Sequence, residues 1–369
     1  MYPKVRFRGF DASQEFKNCL LSEVARNLDN KRIPITANKR KKGKIPYFGS
    51  NGIQDYVKGY THNGTFILIA EDGANNLKHY PVIKATGKIW VNNHAHVLQA
   101  LDKKIDFNYL YFLLFKYNFE KYLVGSGRYK LNAAVLEKLP IKICNSKNEQ
   151  IAIGKILASI DNLLSLQQRK LELESLLYKH LKRNCFYNNY NFYYSKPKKL
   201  NIKMKDIITL EDNQRIPVSE NNRKKGITPY YGANGIQDYV DGYTHVGQYI
   251  LIAEDGASDI QNYPVIAVNG KVWINNHAHV LKVNKTVDFS YLLYFLKNFN
   301  YFPWLVGSGR FKLNAKTLLN IKISIDSNTE NQRKIGVLLN ECDSLTHATS
   351  TRIKLIKDIK QFLLQNLFI

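Results

Sequence analysis

The stretch GYTHNGTFILIAEDGA at residues 59–74 occurs a second time, almost unchanged, as GYTHVGQYILIAEDGA at residues 242–257. The match extends without a gap to 53 aligned positions, of which 37 are identical. Further along, LVGSGRYKLN at residues 123–132 aligns with LVGSGRFKLN at residues 305–314. Two copies of about 180 residues are too few and too long to form a solenoid. The chain is therefore a duplicated domain.

Each copy has the same order of predicted elements. A β-rich part with Asn-Gly and Asp-Gly turns comes first, followed by a short apolar helix, a Gly-Ser-Gly loop and a short strand. A long helix closes each copy. We therefore predict an α+β fold in which two similar, β-rich globular domains are joined by two long antiparallel helices that form a coiled coil. The predicted boundaries are 1–148 and 187–330 for the globular domains, and 149–186 and 331–369 for the helices.

Both closing helices carry apolar residues at spacings that are mostly three and four, which is typical of a helix that packs against another helix. Each helix could instead pack only on its own domain. We favour a helix pair, because two such long stripes have few other ways to be buried, and each helix would be ~54 Å long. The predicted seam comprises Ile156, Ile160, Leu163, Leu171, Leu181, Leu338, Leu345, Ile353, Ile359 and Leu363.

Charge indicates the class of partner. The chain has 54 Lys and Arg against 30 Asp and Glu, a formal net charge of +24. Such a field attracts polyanions, and nucleic acid is the first candidate. An AT-rich genome, which favours Lys, Asn, Ile and Tyr, is an alternative source of the basic composition. Charge alone does not separate DNA from RNA or from an anionic membrane surface.

Other bulk features indicate a cytoplasmic protein. The sequence has no run of eighteen apolar residues, and its first ten residues lack the apolar core of a secretory signal. The four cysteines are scattered and form no C-x-x-C pair, a pattern that fits free thiols in a reducing compartment. We expect no membrane association.

Catalytic signatures are nearly absent. The sequence contains no P-loop, no Rossmann glycine run and no G-x-S-x-G elbow, and it has no Pro-Pro dipeptide. We therefore expect a protein without catalysis of its own. Glu71 and Asp72 are adjacent on the chain and should diverge, so we interpret them as part of a turn in which Gly73 supplies a positive φ.

The main rival interpretation is a tandem β-domain metalloenzyme. If His94 and His96 lie on one strand they point to the same face, and with Glu71 or Asp72 nearby they could bind zinc or iron. A hydrogen-bonded polar face is the simpler interpretation, and we predict no metal. Six of the nine histidines form the two repeated triplets on which this rival rests, namely His62, His94, His96 and His245, His277, His279.

Two repeated basic segments are candidates for contact with phosphates. ANKRKKGKIP at residues 37–46 and ENNRKKGITP at residues 220–229 each place the cations Arg-Lys-Lys directly before a glycine. A charge run is usually only a solvated face, but its repetition in both copies favours a shared polyanion contact. The predicted contacts are Arg40, Lys41, Lys42, Lys44, Arg223, Lys224 and Lys225. Further cations follow the glycine loop, namely Arg128, Lys130, Arg310 and Lys312.

Specificity should lie where the two copies differ. The longest mismatched block is NNLKH at residues 75–79 against SDIQN at residues 258–262, flanked by identical sequence. Asn and Gln pair with adenine, Lys with guanine, and Asp accepts from cytosine. Drift in an unconstrained surface loop is an equally open explanation. The predicted base contacts are Asn75, Asn76, Lys78, His79, Ser258, Asp259, Gln261 and Asn262.

Several of these segments, in this order, resemble the specificity (S) subunits of type I restriction–modification systems. The similar segments are PKVRFRGF at the start, IAEDGA followed by NNHAHVL, GSGRYKLN, and LPIKI followed by EQIAIGKILASIDNLL. The second copy departs from the pattern, with Asn331 in place of the glutamate and NECDSL in place of SIDNLL. The resemblance covers essentially the whole chain.

The resemblance implies a non-catalytic subunit that reads double-stranded DNA. Each globular domain would read one short block, and the helices would set the gap between blocks. The helices would also dock modification subunits, two in number, which methylate adenine with S-adenosylmethionine; a restriction (motor–nuclease) subunit would join for cleavage. No cofactor is expected on this chain. Because the copies are so alike, we predict an interrupted near-palindrome as the target. A non-specific basic scaffold remains an alternative.

Overall fold

The computed structural model describes residues 3–10, 15–125, 129–186, 198–308 and 311–368, so the predicted contacts at Arg128 and Arg310 lie outside the described residues. The chain divides into two compact units. Unit 1 comprises Met1–Arg169 and Thr351–Ile369, and unit 2 comprises Lys170–Ser350. Each unit therefore contains one copy of the repeat together with part of both long helices.

Unit 1 is built on a six-stranded sheet with a helix packed on one face. Its elements are β1 (Lys17–Leu20), α1 (Leu21–Val24), β2 (Ala25–Asn27), β3 (Lys42–Gly49), β4 (Gly52–Val57), β5 (His62–Ala70), β6 (Val82–Val91), β7 (Ala95–Ala100), α2 (Phe107–Lys116), α3 (Ala133–Glu137) and β8 (Pro140–Ile143). The sheet order is β2-β7-β5-β6-β3-β4. All neighbours are antiparallel except β3 and β6. A separate antiparallel pair joins β1 and β8.

The long helix α4 (Lys147–Phe186) follows, and unit 2 then repeats the architecture. Its elements are β9 (Lys199–Lys203), β10 (Ile208–Leu210), β11 (Lys225–Gly232), β12 (Gly235–Val240), β13 (His245–Ala253), β14 (Val265–Ile274), β15 (Ala278–Val283), α5 (Phe289–Lys297), α6 (Ala315–Asn320) and β16 (Lys322–Asp326), before the closing helix α7 (Thr329–Leu367). The sheet order is β10-β15-β13-β14-β11-β12, and β9 pairs with β16.

The repeated FILIA segment is the central strand of its sheet, and it is apolar throughout because both of its faces are covered. Ile67 and Ile69 point into the main core, which also contains Tyr109 and Leu110 of α2. Phe66 and the alternate residues point into a second, smaller core on the opposite face. This arrangement follows from the two-residue period of a strand. The strand thus carries the turn at its end, Glu71–Gly73, on the most rigid part of the unit.

Both ends of the helix pair pack within their units and run antiparallel there. In unit 1, Gly154 of α4 lies against Tyr109, whose ring is 5.2 Å from that of Phe368 at the end of α7. One to two turns further along α4, Asp161 forms a 2.5 Å ion pair with Lys360 of α7. Position thus increases along α4 as it decreases along α7. The ends of both helices also join the domain core, so the two packing interpretations of the stripe are both realised.

The helix burial pattern corrects four of the predicted seam positions. Buried and half-buried residues recur at alternating steps of four and three, from Ile153 and Leu157 in α4 and from Ile335 and Leu339 in α7. Ile160, Leu171, Leu181, Ile353 and Leu363 belong to this series, whereas Leu338 is half-buried against the unit 2 core. The other four, Ile156, Leu163, Leu345 and Ile359, are exposed. The error arose because the outer face of each helix is apolar too, so composition did not define the phase.

No helix among the residues that the structure describes is long and apolar enough to cross a membrane.

Candidate nucleic-acid interface

The arginine of each basic segment is held inside its unit. Arg40 donates from Nε to the carbonyl of Ile35, and its guanidinium lies 4.2 Å above the buried Tyr47 ring and 3.5 Å from Asp55. Tyr47 in turn bonds both the N–H and the carbonyl of Ile35. Arg223 repeats the arrangement in unit 2 with Val218, Tyr230 and Asp238. These arginines therefore stabilise the loop, and their contact with DNA stays a prediction.

The lysines that follow are the exposed cations of the segment. Lys41, Lys42 and Lys44 are exposed in unit 1, as are Lys224 and Lys225 in unit 2. Between Lys42 and Lys44, a Cβ on Gly43 would lie 2.2 Å from the carbonyl oxygen of Val57, so only glycine allows β3 to approach β4 so closely. The pairing of β3 with β4 shifts register at this point. The glycine is thus structural, and the flanking lysine side chains are available to a polyanion.

The mismatched block lies in an exposed loop that is anchored identically in both units; we call residues 74–79 and 257–262 the variable loops. In unit 1, Asn51 at the tip of the β3–β4 hairpin donates to the carbonyl of Gly73 at 2.9 Å and accepts from the N–H of Asn75 at 3.0 Å. In unit 2, Asn234 makes the same two bonds, to Gly256 at 2.9 Å and from Ser258 at 2.8 Å.

Within each variable loop, one side chain caps the turn. Asn76 accepts from the N–H of His79 in unit 1. In unit 2 the carboxylate of Asp259 accepts from the side-chain amide of Asn262 and from the N–H groups of Asn262 and Gln261, and these bonds lower the pKa of Asp259. All eight predicted base-contacting residues are exposed. The loops differ in side chains while sharing their anchors, which is what two readers of related sequences require.

The segment that follows the glycine loop reaches the turn at the end of β5. Asp72 and Lys130 form an isolated antiparallel bridge, and the Lys130 ammonium lies 3.0 Å from the Glu71 carboxylate. Lys312 repeats these contacts, 2.9 Å from Glu254. The two lysines, predicted to approach phosphates, are therefore ion-paired but still about half exposed. Gly73 has φ 64°, which confirms the predicted turn.

The basic segment and the variable loop do not converge on one spot. They lie at opposite ends of β3, since Lys42 begins this strand and Asn51, just beyond Gly49, anchors the variable loop. Eight residues of strand span roughly 25 Å. Lys130, which follows the glycine loop, in contrast lies beside the turn that leads into the variable loop. The predicted contacts thus fall into two groups, one near each end of β3.

A buried ion-pair cluster holds the turn that follows β5. His96 is fully buried; its Nδ1 lies 2.5 Å from Asp29 and its Nε2 donates to the carbonyl of Leu131. Arg32 bridges the two carboxylates, at 3.3 Å from Asp29 and 2.7 Å from Glu71. His279, Asp212, Arg215 and Glu254 form the same cluster in unit 2.

The electrostatics of the cluster favour ionised carboxylates. Burial by itself would raise the pKa of Asp29, but hydrogen bonds from His96 and from the N–H of Val97, with the charge of Arg32, bring it below its ordinary value. Burial likewise opposes ionisation of Glu71, and Arg32 and Lys130 outweigh it, so that its pKa is also lowered. The cluster therefore joins the turn after β5 to β7 and to the segment that follows β2.

Asp29, Glu71 and His96 lie close enough together to be considered as metal ligands. Their donor atoms are already engaged, however. Nε2 of His96 faces a carbonyl oxygen, which can only accept, and both carboxylates are paired with Arg32. A metal would have to displace a guanidinium and break the His96 bonds. The chemistry of this donor set fits an ion-pair network and does not fit a cation site.

The prediction that His94 and His96 share one strand face is wrong. Residues 92–94 form the turn between β6 and β7, where Asn92 caps the N–H of His94. His94 bonds Asp72, on the exposed side, while His96 points into the core towards Asp29. The alternation of a strand does not apply across a turn, so the two rings diverge. The Asn-Asn pair before His94 was the sequence signal for that turn.

Sequence reasoning missed two repeated features of the surface. The clamp made by Asn51 and Asn234 was not predicted, although Asn-Gly in both copies marked the hairpin. Exposed tyrosines were also missed. The Tyr60 ring is half exposed and lies 5.1 Å from the Lys88 ammonium; Tyr243 and Lys271 repeat the pair at 4.9 Å. Aromatic rings beside lysines are common at nucleic-acid surfaces.

Comparison with known proteins identifies the class. The family model for the type I restriction modification DNA specificity domain matches residues 14–175 and again residues 184–358. The chain therefore belongs to this family, with one specificity domain in each copy of the repeat. This agrees with the resemblance inferred from the sequence.

Individual relatives place the chain within the family. It is 45% identical over 145 residues to a putative type I restriction enzyme specificity subunit of Haemophilus influenzae, covering 39% of this chain and 37% of the relative. It is 26% identical over 141 residues to the type I restriction enzyme EcoprrI specificity subunit of Escherichia coli, covering 37% of this chain and 34% of that protein. The chain thus matches little more than a third of the length of either curated relative.

A solved structure extends the similarity of fold to the whole chain. The crystal structure of a type I restriction–modification S subunit from M. genitalium superposes with a TM-score of 0.81 at 18% identity, covering 100% of this chain and 99% of that chain. At this level of identity the comparison supports the α+β, two-domain fold with two long helices.

Proposed function

We propose that this chain is the DNA specificity subunit of a type I restriction–modification complex, and that each unit reads one block of a bipartite duplex target. The observation that carries the proposal is the match of the specificity-domain family to both copies. Each copy presents an exposed loop that differs from its counterpart only in side chains. We favour this role over a metalloenzyme because the histidine–carboxylate cluster has no free donor atoms.

The reading surface in this proposal is the variable loop together with the neighbouring Lys130 or Lys312. Asn, Gln, Lys and Asp side chains of the variable loop match base edges in the major groove. The exposed lysines Lys41, Lys42, Lys44, Lys224 and Lys225 are proposed to contact phosphates, which fix orientation without conveying sequence. The roughly 25 Å along β3 corresponds to about seven base pairs at 3.4 Å per pair. One unit can therefore grip the backbone beyond the block that it reads.

The target is proposed to be an interrupted near-palindrome. The anchors of the two variable loops, Asn51 and Asn234, make equivalent bonds, and the supporting ion-pair clusters are the same in both units. Two such similar readers on antiparallel helices should recognise similar blocks in inverted orientation. Differences between the two blocks are then assigned to the variable loops.

The helices are proposed to set the gap between blocks and to dock two modification subunits, which would bring S-adenosylmethionine and the methyltransferase catalysis. A restriction subunit would join for cleavage. Support comes from a second, exposed apolar stripe that flanks the buried series on each helix. Several of its members are seven residues apart, and their exposed fractions run from 38 to 69%. They are Ile156, Leu163, Leu166 and Leu173 in α4, and Leu345, Leu355, Ile359 and Phe362 in α7.

Selection from a randomised duplex library tests the reading function. The chain is used alone and with its neighbouring modification subunit. Two fixed blocks at constant spacing are expected, in inverted and nearly identical form. Tight binding without any enriched sequence would reduce the protein to a basic scaffold, whose affinity falls with salt equally for every duplex. Two unrelated blocks would contradict the near-palindrome while leaving the bipartite reader intact.

Substitution of the apolar stripe tests docking. Leu166 is 69% exposed, so burying it against a partner contributes about 1–2 kcal/mol, and Leu166→Ala should weaken association with the modification subunit about 5- to 30-fold. Lys155→Gln, also exposed on α4, is the matched control and should leave association unchanged. Equal affinities for both variants and the unaltered chain, measured by titration calorimetry, would contradict docking at this face.

A further inference from the structure

Two of the three histidines in each repeated triplet have structural roles. Nδ1 of His62 lies 2.7 Å from the hydroxyl of Thr61, and its Nε2 lies 3.2 Å from the carbonyl of Leu28. His96 has Asp29 on one nitrogen and the carbonyl of Leu131 on the other. Both rings are buried. Their nitrogens are therefore fully engaged within the unit, and neither can contact a ligand.

His94 differs from both. Its Nδ1 lies 2.6 Å from Oδ1 of Asp72, and its side chain is 37% exposed. Among the residues that the structure describes, Nε2 has no hydrogen-bond partner. His277 repeats every part of this arrangement with Asp255, again at 37% exposure. An imidazole oriented by a carboxylate through one nitrogen presents the other nitrogen to solvent in a defined direction.

The position of the pair is informative. Asp72 lies in the turn that leads into the variable loop and bridges to Lys130 of the glycine-loop segment. The N–H of Glu71 donates to the carbonyl of His94, and Arg32 reaches the neighbouring carbonyl of Asn93. The exposed imidazole therefore lies beside the turn that leads into the variable loop of the proposed reading surface.

The pair is identical in the two units, whereas the variable loops beside it differ. Contacts that convey sequence should change between readers of different blocks, and contacts that only position the protein should not. With Nδ1 donating to the carboxylate, Nε2 carries a proton only in the imidazolium form, and an imidazolium N–H is a strong donor to an anionic oxygen. The charged side chain that contacts the His94 ring is Asp72, while the Glu71–Lys130 ion pair and Arg32 lie on the neighbouring residues of the same turn.

Resting on the proposed function, we propose that Nε2 of His94 and Nε2 of His277 each donate a hydrogen bond to a backbone phosphate of the bound duplex, one in each half of the target. Asp72 and Asp255 are the positioning residues. They orient the rings. The role of the repeated histidines is then divided between two buried rings that hold the fold and one exposed ring that binds DNA.

Affinity of the complex for its selected duplex is measured for His94→Gln, His277→Gln and the double variant between pH 6 and pH 8.5. Each single variant should lose about five- to tenfold at pH 6 and less than twofold at pH 8.5, because the contact needs the imidazolium. The slope of log affinity against log salt should fall by up to about 0.9 per histidine at the lower pH. His180→Gln, on α4, is the matched control and should change nothing.

A scan with single uncharged methylphosphonate linkages locates the contact. For the unaltered protein, replacement of one particular phosphate in each half-site should lower the affinity. A single histidine variant should no longer be sensitive to the replacement in its own half-site and should remain sensitive to the replacement in the other. The glutamine variants should stay folded, because the histidine backbone bonds remain and Gln can still donate to Asp72. Thermal unfolding verifies this.

A second substitution separates the proposal from simple charge. Asp72→Asn removes a negative charge near DNA and would strengthen binding if Coulomb repulsion alone acted, whereas loss of the oriented imidazolium predicts weaker binding at pH 6. Unchanged affinity and an unchanged methylphosphonate profile in the histidine variants would overturn the inference. If the unaltered protein selects no sequence, the proposed function fails instead, and the phosphate contact is still tested on any duplex that it binds.

Discussion

Exchange of one variable loop for the other should convert the target into a perfect palindrome. The perturbation is the five-residue change Asn75→Ser, Asn76→Asp, Leu77→Ile, Lys78→Gln and His79→Asn, which gives unit 1 the loop of unit 2. The structure indicates that the graft is tolerated, because both loops are held by an asparagine clamp with bonds of 2.8–3.0 Å and both are capped by the side chain of their second differing residue. Leu77, which packs on the core, is replaced by an isomer of equal volume.

The magnitude follows from the cost of mismatched base pairs. Each mismatched pair costs about 1–3 kcal/mol, so even one differing pair between the blocks should change the preference between the original and the palindromic duplex about 5- to 150-fold. The assay is competition between the two duplexes, followed by selection from a randomised library. The reverse graft into unit 2 is the matched control and should produce the other palindrome. An unchanged selected sequence with unchanged affinity would refute the assignment of specificity to these loops.

Three further substitutions or conditions test the scaffold. Asn51→Ala removes two anchoring bonds and should weaken binding about tenfold at one half-site only, as footprinting of the two blocks would measure. Gly154→Ala would place a Cβ 2.5 Å from Asp106, so the usual helix gain from alanine should turn into a loss of about 1–3 kcal/mol, seen as a lower Tm. The pKa values of Asp29 and Glu71 are lowered in the folded state, so both carboxylates stabilise the fold above the ordinary pKa of Glu, 4.5. That stability should be lost as the pH falls below 4.5, and Glu71→Gln should flatten this loss in acid denaturation curves.

Local sequence patterns predicted most of the fold. The repeat, the apolar run of β5 and the turn at Gly73 all depend on residues that are close together on the chain, so their period and turn chemistry were sufficient. The helices were also predicted, but the phase of their buried face was not. Ile156 and Leu157 are adjacent and equally apolar, and only tertiary packing decides that Leu157 is buried and Ile156 exposed.

The candidate site was predicted as segments but not as an arrangement. His96 pairs with Asp29, 67 residues away, and Asn51 reaches Gly73, 22 residues away. Neither pairing has a local signature, because sheet order alone brings these segments together. The same limitation produced the wrong expectation for His94, since the turn at residues 92–94 interrupts the alternation on which that expectation depended.

In the proposed function, the ion-pair cluster would allow two nearly identical domains to read blocks that differ at a few positions. His96, Asp29, Arg32 and Glu71 join the turn after β5 to the rest of the sheet through charges that are mostly shielded from water, and removal of one partner would leave another buried and unpaired. The backbone that carries the variable loop is therefore fixed by residues outside that loop. Substitutions within the loop then change side-chain chemistry without changing the position of the backbone. Selection on the target sequence can act on five positions, while the cluster, the asparagine clamp and the exposed histidine stay the same in both units.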